Sequence, residues 1–147
     1  MKHLIQFSLL LTAHLLFFSS SLLAQSPERT KTIPIASDSA YSKIIQALQD
    51  GGYFIAQLDR PSGFIQTSIY LKNNKLLSNK EGETLISNFL ISPLKEGGSK
   101  VILNIFLIER RKGGSFDSPN YYDEDKGIVR ENSAYQQIWD KIIPILQ

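Results

Sequence analysis

From Ser37 to Leu71 the chain passes through a helical period, a glycine stop and two stretches of alternation. Tyr41, Ile44, Ile45 and Leu48 recur at the i, i+3, i+4, i+7 spacing that places side chains on one helical face. Ser37 or Asp38 can cap the first turn, and Gly51-Gly52 supplies the left-handed residue on which helices commonly end. The spacing predicts a helix from there to about Gln49. Tyr53 to Leu58 and Phe64 to Leu71 then read as strands. In the second, Ile65, Thr67, Ile69 and Leu71 alternate with Phe64, Gln66, Ser68 and Tyr70, and the first set is assigned to the core. Asp59-Arg60-Pro61-Ser62-Gly63 between them has a proline to fix φ and a glycine to allow positive φ, so the pair is a hairpin.

Lys72 to Gly82 is polar and reads as a loop. Glu83 to Lys95 reads as a third strand with Leu85, Ser87, Phe89 and Ile91 on one side, although Glu83 to Leu90 could also form a helical turn, and Glu96-Gly97-Gly98-Ser99 is a second hairpin turn. Val101 to Arg110 is the most apolar strand and is placed centrally, with Val101, Leu103, Ile105 and Leu107 opposite Ile102, Phe106 and Ile108. Arg111 to Gly127 is glycine-rich, acidic and without a period, so a long loop is expected. A closing helix, capped near Asn132 or Ser133 and limited by Pro144, puts Tyr135, Ile138, Trp139, Ile142 and Ile143 on its apolar face. The expected architecture is a two-layer α+β fold: a four-stranded antiparallel meander with an N-terminal and a C-terminal helix packed on one face.

The beginning of the chain changes the setting. Lys2, the apolar run Leu9 to Phe18 and the small, polar exit Ser19 to Ser26 have the layout of a secretory signal peptide, with cleavage expected after Ala24; the alternative is an uncleaved membrane anchor, for which the apolar run is short. Residues 1–24 are then signal peptide, 25–36 a flexible lead-in and 37–147 a single domain. Ile33-Pro34-Ile35 could add a short extended edge segment. Lys2 is the one charge in the signal peptide, so 15 of the 16 basic residues and all 14 acidic ones remain after cleavage. That balance gives no reason to expect nucleic acid as a partner. With no cysteine in the chain, neither a disulfide nor a lipid anchor on cysteine is available. Both histidines, His3 and His14, fall in the signal peptide. Catalysis by Ser-His-Asp or Cys-His and histidine-ligated zinc are therefore excluded from the cleaved chain. No cofactor is expected.

Candidate chemistry is sparse. Asp117, Asp123 and Asp125 are the best set of metal-type oxygens, and Asp123-x-Asp125-x-Gly127 has the alternation of a calcium loop's start. It lacks the third ligand and the distant glutamate of that motif. Ser92-Pro93-Leu94-Lys95 has Ser-x-x-Lys spacing, but its proline at a strand end keeps the two from meeting as on a helix. Phe116, Tyr121 and Tyr122 are aromatics suited to anchoring a partner, and Arg60 is a charged point at the hairpin tip. Trp139 and Tyr135 sit at helical spacing with Ile138 and Ile142 and are read as core.

The stretch Ser39 to Leu71 resembles domains of the outer-membrane-assembly lipoprotein family (the NlpB/DapX type) and related small envelope proteins. Leu48, Gly52, Ile55, Asp59, Gly63, Ile65 and Thr67 carry the likeness. The resemblance implies an α+β fold, an envelope setting and a non-catalytic interaction role, with no functional residue carried over. The expectation is an exported protein of the periplasm or cell envelope of a Gram-negative bacterium, without enzymatic activity, whose partner is another envelope protein. Two alternatives remain open: a carrier of a small apolar ligand held between helix and sheet, and a carboxylate- or metal-dependent hydrolase.

Overall fold

The computed structural model describes residues 28–75, 77–115 and 118–147. The signal peptide read at 1–24, and the candidates Phe116 and Asp117, lie outside them. The elements are β1 (Thr30–Ile33), α1 (Ser37–Asp50), β2 (Phe54–Asp59), β3 (Phe64–Lys72), β4 (Lys80–Pro93), β5 (Ser99–Ser115), β6 (Ser118–Ile128) and α2 (Asn132–Leu146). The strands form one antiparallel sheet in the order β1-β5-β4-β3-β2, with β6 also pairing β5.

This is a mostly-sheet fold of six strands with two helices, and it corrects the expected four-stranded meander with a helix at each end. The Arg111 to Gly127 segment is not a loop. β5 runs on to Ser115 and β6 returns along it, in register from Ser115↔Ser118 to Phe106↔Ile128. Its rungs are held by backbone hydrogen bonds and by opposed polar side chains such as Arg110↔Asp123, so the segment needs no apolar alternation. The other addition is β1, inside the stretch read as a flexible lead-in, which pairs Thr30 to Ile33 with Ile102 to Ser99.

α1 forms where the period places it, with Ala40, Tyr41, Ile44, Ala47 and Leu48 buried. Its cap differs from expectation: the N-cap position is Ala36, and no side chain caps it. At the other end the Tyr53 amide donates to the Leu48 carbonyl at 2.9 Å around Gly52, whose φ is +78°. That closure uses the glycine's left-handed freedom. α2 buries Tyr135, Ile138, Trp139, Ile142 and Leu146, and runs through Pro144 instead of stopping there. The proline falls in the last turn, where the Asp140 carbonyl it leaves unpartnered belongs to an exposed residue open to water.

The core joins the buried side chains of both helices to Ile65 of β3, Phe89 and Ile91 of β4, and Val101, Leu103 and Ile105 of β5. The expected core alternation therefore holds in β3 as far as Thr67, whereas Leu71 is 41% exposed because the helices do not reach that far. Fully burying each large apolar side chain contributes roughly 1.5–3 kcal/mol. The β2–β3 hairpin is locked onto β4 through Gly63: the Ile91 amide donates to its carbonyl at 3.0 Å, and a Cβ at Gly63 would overlap the Ile91 carbonyl.

β1 and β6 lie end to end along the same edge of β5. β1 serves Ser99 to Ile102 and β6 serves Phe106 to Ser115. Between them the Leu103 amide donates to the Arg29 carbonyl at 2.8 Å, and the Val129 amide donates to the Ile105 carbonyl at 2.9 Å. The Trp139 indole donates to the Glu28 carbonyl at 2.8 Å, which ties the start of this edge to α2.

Candidate functional site

Side chains alternate across a sheet, and directly paired residues share a face. One face of this sheet carries the helices. Among the described residues the other carries none, and cross-strand register sorts its residues into rows. One row is Phe54–Ser68–Ile86–Phe106–Ile128, running across β2, β3, β4, β5 and β6. Two residues along the strands lies Gln57–Gln66–Asn88–Asn104, a ladder of side-chain amides on four adjacent strands. Within it the Gln66 amide donates to Asn88 Oδ1 at 2.9 Å. Beyond the amides comes Phe64–Leu90–Ile102–Thr30.

On β3, β4 and β5 these three rows contain no charged residue. Charge begins one step out at one end, at Lys100 in the row Ser92–Lys100–Thr32, and at the other end with Asp125, Arg110 and Lys72. Phe54 is 70% exposed, Ile128 50%, Tyr70 48% and Leu90 43%. A face that sets apolar rows on either side of an amide row, uncharged on β3, β4 and β5 and charged at its ends and at Asp59 on β2, has the layout of a protein contact surface.

On the helix side, the sheet beyond the helices turns polar. The half-buried row Ile69–Leu85–Leu107 gives way to Glu83–Glu109–Glu124. Three bases answer the three acids. Glu109 meets Arg111 at 2.7 Å, Lys80 at 3.3 Å and Lys126 at 3.9 Å. Glu124 meets Arg111 at 2.7 Å and Lys126 at 2.8 Å, and Lys80 also pairs Glu83. Burial pushes the Glu109 carboxyl up, but hydrogen bonds from Arg111 and Lys80 outweigh that and hold it below the usual range. The hydrogen bond to Glu83 chiefly raises Lys80. The network's three acids and three bases balance, and it braces the β5–β6 hairpin. Beside it a groove of about 680 Å³, lined by Leu107, Glu109, Lys126, Val129, Arg130 and Glu131 among others, opens at the start of α2. Its walls combine the apolar Leu107, Ile128 and Val129 with the charged Glu109, Lys126, Arg130 and Glu131.

The structure separates residues that the sequence grouped. Tyr121 and Tyr122, 44% and 51% exposed, stand on consecutive positions of β6 and so face opposite sides of the sheet. Tyr121 pairs Lys112 on the open side, with the Arg110 guanidinium 5.6 Å from its ring. Tyr122 pairs Arg111 on the helix side. Asp123 pairs Arg110 at 3.9 Å, and Asp125 accepts the Gly127 amide at 2.7 Å where β6 bulges. Among the described residues no group of three acidic, histidine or cysteine side chains could hold a metal ion. Arg60 turns back onto α1: it lies 4.7 Å from the Tyr41 ring centre, 3.4 Å from Asp38 and 3.1 Å from Ser42 Oγ. Its role there is to clasp the hairpin to the helix. Ser92 lies in β4 opposite Lys100 and Lys95 lies in the following turn, so the Ser-x-x-Lys spacing has no helical geometry.

The open-face rows were missed by sequence reasoning. The available signal was a second apolar set on the central strand, Ile102, Phe106 and Ile108, which a face in full contact with water would not require. Compared with known proteins, the chain matches no family model and no curated protein sequence.

Proposed function

We propose that this chain is an exported, non-catalytic interaction module of the cell envelope, which binds another protein through the face of its sheet that no helix covers among the described residues. The observation that carries this reading is the row Phe54–Ser68–Ile86–Phe106–Ile128, with Phe54 at 70% exposure. Phe54 stands at the β2 edge of that row, and exposed aromatics are the usual anchors of protein contacts. Export rests on the signal-peptide layout of residues 1–24, and the envelope setting rests on that together with the resemblance of Ser39 to Leu71.

The test is cross-linking capture from the envelope fraction of the producing cells, comparing the wild-type chain with Phe54→Glu and Tyr122→Ala. The expected result is a specific cross-linked protein that Phe54→Glu loses and Tyr122→Ala keeps. Equal capture by all three proteins contradicts the assignment of the surface.

A further inference from the structure

The open face has a symmetry along the strands that a generic contact surface does not need. We infer that the partner it fits is a second copy of this chain, paired face to face about a twofold axis lying along the amide row; this deepens the interaction reading and rests on it.

A twofold contact requires a surface complementary to itself after rotation by 180°. Rotation about the Gln66–Asn88–Asn104 line keeps each strand over its own copy and exchanges what lies on either side of that line. The Ser68–Ile86–Phe106 row of one copy then lies over the Phe64–Leu90–Ile102 row of the other. On β4 and β5 apolar meets apolar, Ile86 over Leu90 and Phe106 over Ile102; on β3 Ser68 meets Phe64, and on β2 Phe54 meets Asp59. The amides on the axis meet their own kind, and a carboxamide both donates and accepts, so it can pair with itself where a carboxylate or an ammonium cannot. The next exchange places Lys100 over Ile108 of the copy, one strand away from Asp125. On the central strands β4 and β5 the pattern is palindromic in apolarity, and Lys100 comes within one strand of an acid of the copy.

The extent of the face agrees. Strands lie ~4.8 Å apart and alternate residues ~6.8 Å apart, so the five rows from Ser92–Lys100–Thr32 to Tyr70–Thr84–Ile108–Asp125 cover roughly 650 Å² in projection. Side-chain relief adds to that, and a standard interface takes about 800 Å² from each partner. The product is an aligned sandwich of two sheets, with strands within about 30° of each other and cores ~10 Å apart.

The full chain has no cysteine, so one introduced thiol per copy reports only contacts between copies. The experiment is sedimentation equilibrium of the chain as isolated from the cells that make it, with bismaleimide cross-linking (reach ~10 Å) of Asn88→Cys, Asn104→Cys, Tyr122→Cys and Asp123→Cys. The expected result is a dimer that Asn88→Cys and Asn104→Cys trap while Tyr122→Cys does not. Phe54→Glu, at an exposed position that leaves the fold intact, should weaken the dimer at least tenfold. A dimer trapped by Asp123→Cys but by neither amide-row thiol overturns the inference in favour of pairing along the β6 edge. A monomer up to hundreds of micromolar also overturns it. In that case the interaction reading is judged separately, by whether Phe54→Glu still loses its cross-link to a different envelope protein.

Discussion

The Tyr135 hydroxyl lies 3.0 Å from the Val129 carbonyl, to which it donates, and receives the Ile105 amide at 3.4 Å. A side chain from α2 thus fills the rung of β5 that falls between β1 and β6. Both backbone groups are buried, and Tyr135 itself has no exposed surface. Removing the hydroxyl while keeping the ring leaves them unpartnered, and each unsatisfied buried group costs about 1–3 kcal/mol. Tyr135→Phe is therefore expected to destabilise the protein by about 2 kcal/mol, read as a lower urea midpoint at unchanged slope. Hydrogen exchange should speed up at Ile105 before other amides of β5.

Thr67 and Ser87 are the opposite case. They are direct cross-strand partners on the helix side, fully buried, and neither hydroxyl has a hydrogen-bond partner among the described residues. Exchanging an unsatisfied buried hydroxyl for a methyl of the same shape removes a desolvation cost. Thr67→Val is expected to raise stability by about 1 kcal/mol in the same urea titration. A loss of stability would mean that the two hydroxyls share a bound water.

The Glu109 network predicts a pH dependence with a definite sign. The carboxyl is held below its usual range in the folded protein, so its contribution is present above the unfolded-state pKa of ~4.3 and is lost as pH falls through the lower folded value. Lys80, raised in the fold, contributes below the ordinary lysine pKa and loses that contribution only as pH rises through its raised value. Glu109 is 13% exposed and its partners are about a third exposed, so screening keeps the effect small. Glu109→Gln is expected to cost about 1 kcal/mol between pH 6 and 8. Melting curves of the two proteins should converge as pH falls through the lowered folded-state value of Glu109.

The parts of the fold legible in the sequence are those buried on one side only. Tyr41, Ile44 and Leu48, and Tyr135, Ile138, Trp139 and Ile142, announce their helices because one stripe of each meets the core. Ile65 and Thr67, and the alternation from Ser87 to Ile91, announce strands for the same reason. β6 gives no such sign. Both its faces meet water, and what holds it is pairing with residues such as Glu109 and Arg110 whose position opposite Glu124 and Asp123 follows only from the register. β1 is hidden likewise, since Ile33 is its one buried residue. The candidate surface was illegible for a related reason. Gln66, Asn88 and Asn104 are far apart along the chain and become a row only when three strands align. Tyr121 and Tyr122, adjacent in sequence, are separated by the pleat.

The central claim is that the sheet face without helices is the contact surface. Hydroxyl-radical footprinting of the chain, free in dilute solution and in its native envelope fraction, tests it most directly. Protection of Phe54, Phe106 and Tyr70 in the envelope fraction, with Tyr122 oxidised equally in both, is the predicted result. Protection of Tyr122 with Phe54 and Phe106 unchanged would contradict the account and move the contact to the helix side of the β5–β6 hairpin.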